Sequence, residues 1–169
     1  TNFKRFTMIG NGRCQPYAGC IPGKDQRLEL FPTVFQDSSV QEIRINHSPI
    51  KDIPVNLFKN CRKLVNLTIQ HSLIYDLPVG LFSDTEKIKL IDFSGNKVNQ
   101  LESGLFQPLK EVESLRFIAN NLTRLDANLL SSLKQLKTFH FHENHLFDLP
   151  KDLFSRNKKL KDIDLSHNN

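Results

Sequence analysis

The sequence of 169 residues contains no Trp, only two Tyr and one Met, but 13 Phe. Most of its aromatic side chains therefore lack a polar group, which suits packing in a repetitive core better than a recognition surface. No apolar run approaches the ~18 residues that a membrane-spanning helix needs. The first residues, TNFKRFTMIG, lack the apolar stretch of a signal peptide, so we expect any such peptide to have been removed.

Positive charge exceeds negative charge, with 23 Lys and Arg against 18 Asp and Glu and a net charge of +5. The basic residues are scattered along the chain, and the densest run, RNKKLKD (156–162), is interpreted as solvated surface. Nucleic-acid binding would require such charges gathered on one face with aromatic residues between them. We therefore expect no nucleic-acid partner, and no insertion of this segment into a membrane.

A repeat of 24 residues runs without insertion or deletion from residue 40 to residue 159. Its five units begin at residues 40, 64, 88, 112 and 136, and a sixth begins at residue 160. We number the places of each unit from one to twenty-four. Apolar residues fill places one, four, six, eleven and fourteen, and place nineteen is Phe in all units but one. Place nine is always Ser or Asn, namely Ser48, Ser72, Asn96, Asn120, Asn144 and Asn168.

This pattern resembles the extracellular leucine-rich repeat family, LxxLxLxxNxLxxLPxxxFxxLxx, over residues 40–169 and more loosely before them. The same repeat builds Toll-like receptor ectodomains, axon-guidance proteins and secreted immune factors, and the LPxxLF phrase is similar to that of arthropod members. The resemblance implies an α/β-type solenoid: a right-handed arc with a parallel β-sheet on its concave face and an irregular or short-helical convex side.

Physical reasoning supports this fold. Places four and six alternate with polar neighbours, so a short strand buries one face and exposes the other. One unit cannot cover its own apolar face, so stacked units form a continuous core. Asn at place nine is expected to hydrogen-bond backbone groups between turns, and Phe at place nineteen to fill the far side of each turn.

Residues 1–39 are predicted to form an irregular, cap-like first repeat with an insertion at 12–27, before five regular repeats (40–159) and a truncated sixth (160–169). We expect Cys14 and Cys20, which are flanked by Gly and Pro, to close a disulfide ring in an oxidising compartment. The insertion also carries Tyr17 and basic residues, so it is either a binding loop or a cover for the first strand. Cys61 is expected to be a buried thiol that acts as a small apolar residue.

The stretch HFHENHL (140–146) places His140 and His142 at places five and seven of a strand, where both project from the concave face. The next strand would place Asp164 beside His140, about 4.8 Å away. His140, His142 and Asp164 could then bind a divalent ion or respond to pH near 6. We favour an exposed polar patch without metal, because nothing in the pattern fixes a ligand geometry.

One column of the concave face, place five, offers Asp92, Arg116, His140 and Asp164 with alternating charge, either as a recognition patch or as mutually paired neighbours. Sequons occur at Asn46, Asn66 and Asn121 and favour the secretory pathway together with the cysteines. Glycans on Asn46 and Asn66 would shield the N-terminal half of this face.

The sequence stops at DLSHNN, which leaves the strand around Ile163 without a following unit. Either the chain is part of a longer array or this edge pairs with a second copy in a homodimer.

No phosphate-binding Gly loop, Ser-His-Asp arrangement or pocket-forming carboxylate pair is found, so we expect neither an enzyme nor a cofactor. We expect a secreted or ectodomain module that recognises a protein or glycan partner, with a role in innate immunity or cell-surface adhesion implied by the resemblance. The alternative is a structural segment that assembles oligomers.

Overall fold

The computed structural model describes residues 4–9, 14–15, 20–22, 28–30, 35 and 39–169, with side chains for 5–7, 35 and 39–169. The described residues form β-strands joined by turns. These strands are β1 (Lys4–Ile9), β2 (Cys14–Gln15), β3 (Cys20–Pro22), β4 (Leu28–Leu30), β5 (Val40–Asn46), β6 (Asn66–Gln70), β7 (Leu90–Asp92), β8 (Ser114–Arg116), β9 (Thr138–His140) and β10 (Asp162–Asp164).

The main sheet has the order β10-β9-β8-β7-β6-β5-β1-β2, and every pair from β10 to β1 is parallel. Residues 24 positions apart are direct neighbours in the regular part, so that Leu115 lies beside Ile91 on one side and Phe139 on the other. This register confirms the predicted leucine-rich repeat solenoid with a parallel sheet. Because each unit adds one strand, every place in the repeat becomes a row that crosses the turns.

Strand β1 continues the sheet beyond the regular repeats, since Phe6 pairs with Ile43, at place four of the first regular unit. Strand β2, from the insertion, pairs antiparallel with the other edge of β1, and β3 with β4 forms a separate antiparallel pair. The side chains of Cys14 and Cys20 and all of Tyr17 lie outside the described residues. The disulfide and the binding role of Tyr17 therefore stay predictions.

The side of the coil opposite the sheet consists of consecutive turns. In the first regular unit, Leu57 N donates to Pro54 O at 2.9 Å and Lys59 N donates to Asn56 O at 3.0 Å. No helix occurs among the described residues, so this side is irregular. The same residues accordingly contain no helix that could cross a bilayer. Cys61 is buried here, and its thiol donates to Phe35 O at 3.3 Å.

The core between sheet and turns contains two rows of phenylalanine. Phe35, Phe58, Phe82 and Phe106 follow one another with ring centroids 5.8, 6.4 and 6.0 Å apart. A second row at place six comprises Phe93, Phe117 and Phe141, with spacings of 5.6 and 5.3 Å. All of these rings are fully buried, so each unit contributes apolar area that only its neighbours can cover.

Asparagine at place nine ties each turn to the preceding one. Asn144 Nδ2 donates to Phe117 O at 2.8 Å and to Phe141 O at 3.0 Å, while its Oδ1 accepts from Leu122 N at 3.0 Å. Asn96, Asn120 and Asn168 repeat this arrangement, which confirms the predicted ladder. Ser72, at this place in the second unit, reaches less far, since its Oγ donates to Gln70 O of its own turn at 3.3 Å.

The repeat also imposes an unusual backbone conformation that its sequence pattern does not reveal. Place eight has a positive φ of 49–70° in every unit, although its occupants are His47, His71, Gly95, Ala119, Glu143 and His167. Such a conformation costs a residue other than glycine roughly 1–2 kcal/mol. The hydrogen bonds on both sides of place eight must therefore outweigh local preference.

We predict that Asn144→Ala lowers the free energy of unfolding by about 3 kcal/mol, because Leu122 N, Phe117 O and Phe141 O would lose a buried partner. Urea denaturation measures the change. Asn99→Ala is the matched control, since Asn99 is exposed and should change stability by less than about 0.5 kcal/mol. Equal losses in the two variants would contradict a structural role for the ladder.

Candidate functional site

The outward face of the sheet is formed by places three, five and seven of the strands, and we call it the sheet face. Its residues alternate with the buried residues of places four and six, as in β6, where Leu67 and Ile69 are buried and their neighbours are partly exposed. Place five forms a single column, in which Asp92 lies beside Arg116, Arg116 beside His140 and His140 beside Asp164. The predicted column is therefore present.

Asp92 differs from the expectation of an exposed binding residue, because only 4% of its surface is exposed. Its Oδ2 accepts from Gln70 Nε2 at 2.8 Å, and its Oδ1 accepts from the backbone of Ser94 at 2.9 Å. Both acceptor atoms are occupied by residues of the same or the preceding turn. Asp92 consequently acts as a structural anchor of β7.

Arg116 is the half-buried cation of the column. Its Nε is buried and has no hydrogen-bond partner among the described residues. Its column neighbours do not neutralise it: Asp92 bonds to Gln70 and Ser94, and His140 contacts Asp162. Because Nε is closed to solvent, a partner could pair only with the outer Nη groups of the same guanidinium, whose positive charge the column neighbours leave unpaired.

The two histidines each face a different carboxylate of β10. His140 Nε2 lies 2.8 Å from Asp162 Oδ2, and His142 Nδ1 lies 3.0 Å from Asp164 Oδ2. The register does place Asp164 beside His140, as the repeat predicts, but the carboxylate that contacts His140 is that of Asp162, which the pattern did not indicate. The structure shows a diagonal contact two residues back along the next strand, which is within reach of an imidazole.

These groups do not converge on one point. The rings of His140 and His142 are 6.2 Å apart, and each lies beside its own aspartate, although only the contact of His140 with Asp162 has hydrogen-bond geometry. Within the ranges that the structure describes, no group of three or more His, Cys, Asp or Glu side chains is placed to hold a metal ion. The candidate ligands His140, His142 and Asp164 are thus arranged as two separate pairs.

Glu42 is a second charged group of the sheet face that sequence reasoning missed. It lies at place three with only 1% of its surface exposed, between two arginines. Arg5 Nε donates to its Oε2 at 2.5 Å, and Arg44 Nε donates to its Oε1. The signal in the sequence is the pair Arg5 and Arg44. The register of β1 on β5 places Arg5 directly beside Glu42, and Arg44 follows Glu42 on the same face of β5.

The sequons differ in accessibility. Asn121 is exposed after β8, whereas Asn46 and Asn66 are partly buried on the sheet face. The Asn46 Oδ1 atom is buried without a hydrogen-bond partner among the described residues. A glycan at Asn121 would therefore disturb the sheet least.

Two hydrogen bonds from Ser166, one from its hydroxyl and one from its backbone, hold the pKa of Asp164 below its usual value, and the charges of His142 and His140 act in the same direction. Because the pKa of this carboxylate is lower in the folded than in the unfolded protein, its ionised form stabilises the fold. This stabilisation is complete when the pH is above the pKa of the unfolded state, and it is lost as the pH falls through the pKa of the folded state.

We predict that Ser166→Ala raises the pKa of Asp164 towards its ordinary value, because the hydroxyl donor is lost while the backbone donor remains. A carbon-13 NMR titration of the Asp164 carboxyl group measures the shift. Ser155→Ala, an exposed serine away from this pair, should leave it unchanged. An unaltered titration in Ser166→Ala would contradict the assigned cause.

Comparison with known families agrees with the geometry. Residues 29–161 match the model of the BspA type leucine rich repeat region, in six copies. No curated protein matches the chain. This match supports leucine-rich repeats but not the Toll-like or arthropod subtype that the sequence pattern resembles. Leucine-rich repeats in general mediate protein interactions. Because this match spans most of its length, the chain belongs to the BspA-type leucine-rich repeat family.

Proposed function

We propose that the chain is a non-enzymatic, extracellular recognition module that binds a protein partner through the C-terminal half of the sheet face. Parallel strands β7–β10 fix this surface, so little order has to be gained on binding. It is lined by Arg116, His140, His142 and Asp164, which combine a cation with imidazole and carboxylate groups. Such a mixed polar surface suits a folded protein with complementary charges.

The observation that carries the proposal is the guanidinium of Arg116, which pairs with no carboxylate among the described residues because Asp92 bonds to Gln70 and Ser94. Arginine is enriched among the residues that dominate binding energy, above all near the centre of an interface, where binding removes it from water. Arg116 lies in the middle of the C-terminal strands, with β7 on one side and β9 on the other. An acidic side chain of the partner above Arg116 would pair with the Nη groups of its guanidinium.

Secretion is the second part of the proposal. Its support is the exposed sequon at Asn121, the further sequons at Asn46 and Asn66, and the pair Cys14 and Cys20 in the insertion. Innate immunity and cell-surface adhesion both use rigid repeat modules. We propose that the protein acts in one of these two processes. A module of either kind would be secreted or form the ectodomain of a membrane protein.

We predict that Arg116→Ala weakens capture of the partner from extracellular fluid by at least about tenfold, as expected for a central, half-buried arginine. Pull-down with quantitative mass spectrometry compares the wild type, Arg116→Ala and Arg124→Ala. Arg124 is an exposed arginine at place thirteen, away from the sheet face, and its loss should not matter. A partner retained equally by all three proteins would overturn the role of the sheet face.

We also predict that the protein, expressed behind a secretion signal in a eukaryotic host, carries an N-glycan on Asn121. The Asn121→Gln variant should then be lighter by one glycan, and enzymatic deglycosylation should abolish the difference. Asn99→Gln is the control, because Asn99 is equally exposed and lies outside any sequon. Identical masses for wild type and Asn121→Gln would contradict occupancy of this sequon.

A further inference from the structure

One edge of the solenoid collects much of the basic charge. At places twenty-three, twenty-four and two of each unit, the chain returns from the turns to the sheet. The residues at these three places between 62 and 161 are called the basic edge. They hold ten Lys or Arg and three Glu, a net charge of +7, while the whole chain has +5. All ten cations are exposed. The charges that look scattered in the sequence are thus gathered in space, contrary to the expectation from the sequence.

A backbone ladder fixes the spacing along this edge. At place two, Lys89 N donates to Val65 O at 2.8 Å, Glu113 N to Lys89 O at 2.8 Å, Lys137 N to Glu113 O at 2.8 Å and Lys161 N to Lys137 O at 2.9 Å. Side chains at this place therefore stand one strand spacing apart, about 4.8 Å. The result is a row of charged side chains that crosses four successive turns, from Lys89 to Lys161.

Lysine side chains converge around the one acid in that row. Lys137 Nζ lies 2.6 Å from Glu113 Oε2. This hydrogen bond lowers the pKa of Glu113, and the positive charges of Lys137, Lys89 and Lys159 lower it further. Lys89 and Lys137 stand on the turns either side of Glu113, and a single acid cannot neutralise both.

Places twenty-three and twenty-four continue the row on the side of the turns. Their cations, beside Lys159, are Arg62, Lys63, Lys87, Lys110, Lys134 and Lys158. At the N-terminal end of the edge, an open cleft of about 520 Å³ lies between Arg62 and Lys63 on one turn and Lys87 on the next. Asp84 and Glu86 also line this cleft, so its charge is more balanced than that of the rest of the edge.

The chemistry of the edge discriminates between polyanions. Nine of its ten cations are Lys, and its places contain no Phe, Tyr or Trp. Proteins that bind single-stranded nucleic acid stack bases on aromatic rings, and arginine is preferred for bidentate phosphate and base contacts. Rows of lysine act as point charges and suit anionic groups spaced along a flexible polymer without bases.

We propose that the basic edge binds a linear sulfated polysaccharide that runs across the turns of the solenoid. From Arg62 to Lys158 the edge spans five successive turns, or roughly 20 Å. The anionic groups of the polymer would contact lysines on consecutive turns, and release of its counterions would supply much of the binding free energy. This surface is separate from the sheet face, so the inference does not depend on the proposed protein partner.

The test measures binding of a size-defined heparin oligosaccharide to the full chain by isothermal titration calorimetry at 150 mM salt. The triple variant Lys89→Gln, Lys137→Gln, Lys161→Gln should lower the affinity by at least about tenfold. The matched control is Lys51→Gln, Lys97→Gln, Lys151→Gln, which changes the net charge equally at positions outside the edge. This control should bind within about twofold of the wild type, and an equal loss in both triple variants would overturn the proposal.

A further variant gains rather than loses affinity. Glu113→Gln removes the acid from among the lysines and should tighten binding by about twofold or more, whereas Glu102→Gln, away from the edge, should not. Single-stranded DNA and an unsulfated polysaccharide of equal length complete the comparison. Tighter binding of DNA than of heparin would replace the proposal with a nucleic-acid site, and heparin binding no stronger than that of the unsulfated polymer would also overturn it.

Discussion

Hydrogen bonds between equivalent backbone groups of successive turns are the constraint on which the rest of the structure depends. They run in rows outside the strands as well as within them. Three such rows have their backbone N–H donors at place two (Val65 to Lys161), place eight (His47 to Glu143) and place ten (Leu73 to Asn169). Asn at place nine satisfies the buried groups that these rows leave open. Because each turn is tied to its neighbour at several points, a residue such as Ala119 can be held at a positive φ that it would otherwise avoid.

The same constraint turns each place of the repeat into a row of side chains, and rows with different surroundings behave differently. On the sheet face, side chains of adjacent strands stand close together, so charges pair within the protein, as Glu42 does with Arg5 and Arg44. At the basic edge, long lysine side chains extend into solvent and meet few acids. One surface is therefore largely neutralised internally, apart from Arg116, while the other keeps its charge available.

Much of the fold followed from the period of the repeat. Burial of Phe139 and Phe141, the register of the place-five column and the asparagine ladder were all predictable, because a coil with a constant number of residues per turn assigns each place an environment. The site was predicted less completely. His140 and His142 do lie on the sheet face, but Asp162 rather than Asp164 contacts His140, and Asp92 is buried.

The sequence by itself determined the number of residues per turn, the side chains that face the core and those that face outwards. Only the tertiary structure decided which outward side chains pair, which become buried, and that lysines far apart in the chain form one edge. The physical reason is that a pattern assigns a residue to a row through the backbone, whereas pairing depends on the length and direction of side chains on adjacent turns. Charge follows the same rule, because its effect depends on spacing in space rather than along the chain.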